Sequence, residues 1–131
     1  MSRLTVTIIA WNEEERLRAC LESVAWADEI VVVDAESGDK TVQIAREFTD
    51  KVLVRAWPGF AAQKNFAIDH ASGDWILSLD ADERVSPELK AEIDRVLGSS
   101  SNRQAGYEMP RLSWFLGRPL RHGTWYPDEV L

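Results

Sequence analysis

Asp80 and Asp82, one residue apart in Asp74-Trp75-Ile76-Leu77-Ser78-Leu79-Asp80-Ala81-Asp82, are the residues whose spacing most suggests chemistry. The apolar run Trp75 to Leu79 has strand length and delivers both carboxylates beyond the strand's carboxyl end. Side chains alternate along an extended chain, so the pair should point to one side, an oxygen chelate for one hard divalent cation such as Mg²⁺ or Mn²⁺. Such an ion completes its shell with substrate phosphates and stabilises charge on a departing diphosphate. The structural alternative is a plain turn, because Asp is a common loop former and Asp-x-Asp is a short, non-specific motif. Lys64 offers a second cation for a diphosphate or is an ordinary solvated helix lysine.

The elements that must carry these groups follow from the hydrophobic pattern. Leu4 to Ala10 reads as a buried first strand ending at Trp11-Asn12. Asn12 and Glu15 form a capping pair for a helix whose buried face is Leu17, Cys20, Leu21 and Val24, with Glu13 to Glu15 at the positive end of its dipole. Glu29 to Asp34 is a second strand, continuous and β-branched as in a parallel sheet covered on both faces. Asp39 then caps a helix with Val42, Ala45 and Phe48 inward. Lys51 to Ala56 is a short third strand, Trp57-Pro58-Gly59-Phe60 a loop, and 61–71 a helix that Gly73 ends with a left-handed cap. After the acidic strand, Ser86-Pro87-Glu88 opens a helix with Leu89, Ile93, Val96 and Leu97 buried, stopped by Gly98.

Strand and helix alternate four times, which predicts right-handed crossovers, a mainly parallel sheet and a three-layer α/β fold. Ligands of such sheets sit beyond the carboxyl ends of the strands where the strand order reverses. With the second and third strands on one side of the first and the fourth on the other, Trp11-Asn12, Asp34 and Asp80-Ala81-Asp82 rim one crevice.

Composition narrows the partners. The chain has 131 residues, enough for one domain over 1–131, and a net charge of -7. That charge argues against nucleic acid or an anionic membrane surface as main partner, and an anionic nucleotide would need a bridging cation. Arg111, Arg118 and Arg121 against Glu108 make a late basic patch, suited to an anionic acceptor or to plain solvation. Cys20 is the one cysteine, so no internal disulfide forms. No apolar run approaches bilayer length, and Leu4 to Trp11 is too short for a secretory segment, so a cytoplasmic location is the expectation. No phosphate-binding Gly loop of the Walker or dinucleotide type follows the first strand, so neither a nucleoside triphosphatase nor a dehydrogenase is supported.

The ordered set of Val6 to Asn12-Glu13-Glu14, Val31-Val32-Val33-Asp34, Gln63-Lys64-Asn65-Phe66-Ala67 and Ala71 to Asp80-Ala81-Asp82-Glu83 resembles the family 2 glycosyltransferases of the GT-A fold. Trp57-Pro58-Gly59-Phe60, Phe115-Leu116-Gly117-Arg118 and His122-Gly123-Thr124-Trp125-Tyr126-Pro127-Asp128 are most similar to the subgroup that builds bacterial lipopolysaccharide core. The resemblance implies inverting transfer of a sugar from a UDP-linked donor to a hydroxyl of a glycan or glycolipid acceptor, at the inner face of the cell membrane. It implies that Asp80 and Asp82 handle the metal and the donor's diphosphate and ribose. Asp34 would lie by base and ribose, Ala10, Trp11 and Asn12 would line the same pocket, and Lys64 would lie near the nucleotide. A carboxylate must deprotonate the acceptor; Asp128 is favoured over Glu129, the alternative being an ordinary turn. His122 either contacts acceptor or diphosphate or is structural.

Two departures from the family pattern stand out. Glu36 is a bulky acid in Asp34-Ala35-Glu36-Ser37-Gly38-Asp39, where small residues are usual, and the chain stops at Leu131, short of the usual acceptor-side segment. Two other functions compete: a non-catalytic nucleotide-sugar-binding module, and a haloacid-dehalogenase-type phosphatase with Asp80 as nucleophile. Arg84 stands where that phosphatase signature has Thr or Val.

Overall fold

The computed structural model describes residues 3–97 and the strand 124–127. The apolar runs become β1 (Leu4–Ala10), β2 (Glu29–Asp34), β3 (Val52–Val54) and β4 (Trp75–Asp80), joined by a fifth strand, β5 (Thr124–Pro127). Four helices alternate with the first four strands: α1 (Leu17–Ser23), α2 (Thr41–Ala45), α3 (Phe60–Asp69) and α4 (Pro87–Leu97). The sheet order is β3-β2-β1-β4-β5, parallel except for β5, which runs antiparallel to β4.

This order explains where the helices lie. From β1 to β3 the chain steps one way across the sheet, with α1 and α2 on one face; from β3 to β4 it steps back past β2 and β1. A crossover of the same hand in the opposite direction must use the opposite face, and α3 lies there. On the first face Val6, Ile8, Val32, Leu77 and Leu79 pack with Leu17, Cys20, Leu21 and Val24 of α1, Ile44 and Ala45 of α2, and Leu89 and Ile93 of α4. On the second, Ile9, Val31 and Val33 pack with Ala67 and Phe66 of α3. Each such side chain taken from water contributes about 1.5–3 kcal/mol, so both faces stabilise the central strand. β1 is buried along its whole length, as a strand covered on both sides must be.

Several local expectations change. Asn12 does not cap α1: its φ is +50°, and α1 begins only at Leu17, after a turn through Glu14 to Arg16. The buried face of α2 uses Ile44 and Ala45, with Val42 only half-buried. Gly73 is no left-handed cap; α3 ends at His70 with φ -97°. Gly73 is required for another reason, since a Cβ there would lie 2.6 Å from Thr5 Oγ1 and 2.8 Å from Thr5 N. Gly59, the N-cap of α3, is the described glycine at positive φ, +113°. Gly98 lies outside the described residues, and nothing is assigned to the Val96 side chain.

The end of the sheet remote from the crevice is tied by Glu29. Its carboxylate accepts from Thr5 Oγ1 at 2.6 Å, Ser72 N at 2.7 Å, Ser72 Oγ at 3.1 Å and Lys51 Nζ. One side chain at the base of β2 thus links β1 with the segments entering β3 and β4. Burial alone would raise its pKa, but the hydrogen bonds from Lys51, Thr5 and Ser72 outweigh burial and hold it at about 2.

Candidate functional site

Parallel register brings three strand ends together. Ile9 pairs with Asp80 and Ala10 with Asp34, so the tip of β1 is flanked by the ends of β2 and β4, where the strand order reverses. Ala35 N donates to Ala10 O at 2.9 Å, and Arg55 N to Asp34 O at 2.9 Å, extending the alignment one step beyond the strands.

Polar side chains fix the β1 and β2 loops against each other. Asn12 N donates to Ser37 Oγ at 2.7 Å, Ser37 Oγ donates to Asp34 Oδ1 at 2.5 Å, and Ser37 N donates to Asp34 Oδ2 at 2.7 Å. Asn12 Oδ1 accepts from Gly38 N at 2.8 Å, a bond across loops that accounts for its left-handed backbone, which Asn tolerates better than most residues. Glu13 N donates to Thr41 Oγ1 at 2.8 Å, and Asp39 Oδ1 accepts from Thr41 N at 2.9 Å, so Asp39 does serve the start of α2. Burial acts to raise the Asp39 carboxyl, but its bonds from Thr41 and Glu14 prevail and lower it. Asp34, expected beside a base and ribose, is fully buried at the end of β2, with both oxygens engaged by Ser37.

The acidic pair straddles the end of β4: Asp80 is its last residue, and Asp82 lies in the tight turn that follows. Residues 81–82 form the turn, and Glu83 N donates to Asp80 O at 3.0 Å. Alternation along a strand is therefore the wrong reason for Asp80 and Asp82 to converge, yet both line one crevice of about 210 Å³ with Ala10, Trp11 and Glu13. Lys64, from α3, places Nζ 3.6 Å from Asp80 Oδ1 and 3.3 Å from Ser78 Oγ, both short enough for a part-buried cation to offset the local negative charge. It is not a solvated helix lysine. Glu83 is 2% exposed, and its Oε1 accepts from Asp80 N at 2.9 Å. Burial, reinforced by the charges of Asp80 and Asp82, raises the Glu83 pKa against the lowering effect of its Asp80 hydrogen bond. Cys20 of α1 lies behind the turn, Sγ 3.8 Å from Asp80 O, and Val85 N donates to Ser23 Oγ at 3.0 Å. Burial, then the charges of Glu83, Asp82 and Asp80, push the Cys20 thiol up to about 12.

Beside the acidic crevice lies an apolar cavity of about 460 Å³ lined by Trp11, Ala35 and Trp57. Trp11 is 60% and Trp57 50% exposed, so both indoles are open to a ligand, and Trp57 is braced edge-on by Phe60 at 5.1 Å between centroids. Flat apolar walls of this kind suit a planar ring. Among the described residues no cluster of three or more metal-binding His, Cys, Asp or Glu exists. The donor set at the turn is oxygen-only, from Asp80 and Asp82. Two carboxylates are the usual protein share for Mg²⁺ or Mn²⁺ when substrate phosphates and water supply the rest, so the residues fit such an ion only together with a phosphate ligand.

Ala10, Trp11, Asp80 and Asp82 thus meet at one crevice with Lys64 behind them, while Asn12 and Asp34 serve its loops. His122 and Asp128 lie outside the described residues. β5 between them starts opposite Ser78, near the crevice, and ends with Pro127 opposite Trp75, at the far end of β4. Sequence reasoning did not single out Trp57 as a wall or Glu83 as a buried partner of Asp80. The first was legible from its place after β3, whose end lies beside that of β2. The second was legible from its spacing three residues after Asp80, the reach-back distance familiar from capping boxes.

Residues 5–99 match the family described as glycosyl transferase family 2. An uncharacterized glycosyltransferase of Rickettsia typhi is 40% identical over 119 residues, covering 89% of this chain and 41% of the relative. The lipopolysaccharide core biosynthesis glycosyltransferase LpsC of Rhizobium meliloti is 33% identical over 119 residues, covering 87% and 44% respectively. The chain therefore spans less than half the length of these curated relatives. The solved mannosyltransferase of Pyrobaculum calidifontis, in complex with GDP-Man and Mn²⁺, superposes with a TM-score of 0.70 at 19% identity, over 96% of this chain and 44% of that one. Glucosyl-3-phosphoglycerate synthase of Mycobacterium tuberculosis, in complex with Mg²⁺ and UDP, gives 0.67 at 17% identity, over 98% and 57%. These structures share the fold.

Proposed function

The chain belongs to glycosyl transferase family 2, and from that premise we propose that it forms the donor-binding domain of an inverting glycosyltransferase that uses a nucleotide-sugar and a divalent cation. The observation that carries this reading is the meeting of an acidic turn and an aromatic cavity at the reversal of strand order. The cavity between Trp11, Ala35 and Trp57 takes the nucleobase, held by ring contact. The rim from Ala10 to Asn12, kept in shape by Asp34 and Ser37, borders the ribose. Asp80 and Asp82 would hold the cation, with Lys64 adding a fixed positive charge toward the diphosphate. Mg²⁺ or Mn²⁺, when bound there, supplies Lewis-acid stabilisation of the departing diphosphate.

The acceptor hydroxyl attacks the anomeric carbon as the bond to the diphosphate breaks, and a carboxylate must take the hydroxyl proton. Asp128, the candidate base named from the sequence, lies outside the described residues, and its replacement by Asn should remove transfer while leaving donor binding intact. The relationship to LpsC, a lipopolysaccharide core biosynthesis glycosyltransferase, supports a glycan acceptor of the lipopolysaccharide-core type; the UDP-linked donor sugar and the action at the inner face of the membrane that we propose rest on the sequence resemblance. Among the described residues no helix is long and apolar enough to cross a membrane. The phosphatase alternative falls with the family assignment. Titration calorimetry with UDP and Mn²⁺ tests the reading: wild type should bind only with the cation, and Asp82→Ala should lose that binding while keeping its melting temperature. Equal binding by both proteins would refute it.

A further inference from the structure

We propose that Glu83 is a positioning residue for the acidic turn, holding the backbone of Asp80 so that Asp80 and Asp82 face the donor's diphosphate and cation together. The inference rests on the nucleotide-sugar reading above and adds to it a residue outside the crevice. Asp80 N donates to Glu83 Oε1 at 2.9 Å, and Glu83 N donates to Asp80 O at 3.0 Å. The two bonds close a ring around residues 80–83: the Glu83 side chain reaches back to Asp80 N as the Glu of a capping box does, while the Asp80 backbone carbonyl takes the place of the capping side chain. α1 holds the turn from behind, through Cys20 Sγ to Asp80 O and Ser23 Oγ to Val85 N, and leaves the middle of the turn to Glu83.

A purely space-filling role would not select this side chain. Glu83 is 2% exposed, and its second oxygen, Oε2, is buried with no hydrogen-bond partner. An apolar residue of similar volume would avoid that cost, and would also avoid a third acid beside Asp80 and Asp82. What an apolar residue cannot supply is an acceptor for Asp80 N. The feature that matters is thus an sp² oxygen at the reach of a Glu side chain, and its charge is secondary.

The test separates reach from charge. Glu83→Gln keeps the carbonyl oxygen at the same distance; Glu83→Asp keeps the charge and withdraws the oxygen by one methylene. Amide exchange at Asp80, calorimetric affinity for UDP with Mn²⁺, and thermal melting are measured for both variants and wild type. Glu83→Gln should keep Asp80 N protected and hold UDP affinity within about twofold. Glu83→Asp should speed exchange at Asp80 and weaken UDP binding about tenfold at a temperature where both variants are folded. The reverse order would assign the effect to charge, and equal affinities with unequal melting would leave Glu83 a structural residue; either result overturns the proposal. Absence of UDP binding by wild type itself would refute the nucleotide-sugar reading instead, and exchange at Asp80 would still decide whether Glu83 holds the turn.

Discussion

Replacing Glu29 with Gln should destabilise the protein in a way that depends on pH, because the Glu29 carboxylate is held at about 2 from an ordinary value of 4.5. At about 1.36 kcal/mol per unit, a shift of roughly 2.5 units corresponds to about 3 kcal/mol. The Glu29 side chain is only 11% exposed, but Lys51 is 46% exposed, so solvent screening of that partner reduces the expected loss to about 2 kcal/mol. The folded pKa is depressed, so the contribution is fully present above about pH 4.5 and is lost as pH falls through about 2. Urea unfolding of wild type and Glu29→Gln should therefore differ by about 2 kcal/mol at pH 7 and by less than about half of that at pH 3. A difference that stays constant from pH 7 to pH 3 would refute the assignment of the stabilisation to the ionised carboxylate. The change lies at the base of the sheet, and UDP binding at pH 7 should survive it.

Three further outcomes follow from the geometry. Gly73→Ala should cost about 2 kcal/mol or more in urea unfolding, since its Cβ would meet Thr5 Oγ1 at 2.6 Å and Thr5 N at 2.8 Å within the sheet; an unchanged midpoint would contradict the close approach. Glu36→Gly should stabilise by up to about 1 kcal/mol in the same assay, because Glu36 sits at φ +60°, and a loss of stability would show that its side chain matters more than its backbone. Trp57→Ala should weaken UDP binding by about 1–3 kcal/mol with little change in melting temperature, as expected for an exposed ring that stacks on a base; unchanged calorimetric affinity would move the base elsewhere.

The strands were the most legible part of the fold. Glu29 to Asp34 is β-branched from Ile30 to Val33, and Trp75 to Leu79 is apolar but for Ser78; both emerged as parallel strands buried along nearly their whole length, as a short near-continuous apolar run covered on both faces must be. What a local pattern could not supply was a partner distant in sequence. Asn12 has the identity and spacing of a helix cap, but its side chain bonds Gly38, 26 residues away, and α1 starts a turn later. Gly73 follows a helix as a C-cap glycine does, yet Thr5, 68 residues away, is what excludes a side chain there. β5 escaped notice because Thr124-Trp125-Tyr126-Pro127 is short and ends in Pro, which an edge strand tolerates. Asp80 and Asp82 do line one crevice, but strand alternation is not what brings them there, since the convergence comes from a turn that Glu83 closes.

The lone thiol offers a built-in stopwatch for that turn. Cys20 is fully buried against the Asp80 carbonyl with its ionisation pushed to about 12, so alkylating reagents, which need an exposed thiolate, can reach it only when α1 parts from the acidic loop. Its labelling rate would therefore time the breathing of the crevice floor without any engineered probe, and a nucleotide that clamps the loop from above should slow the clock.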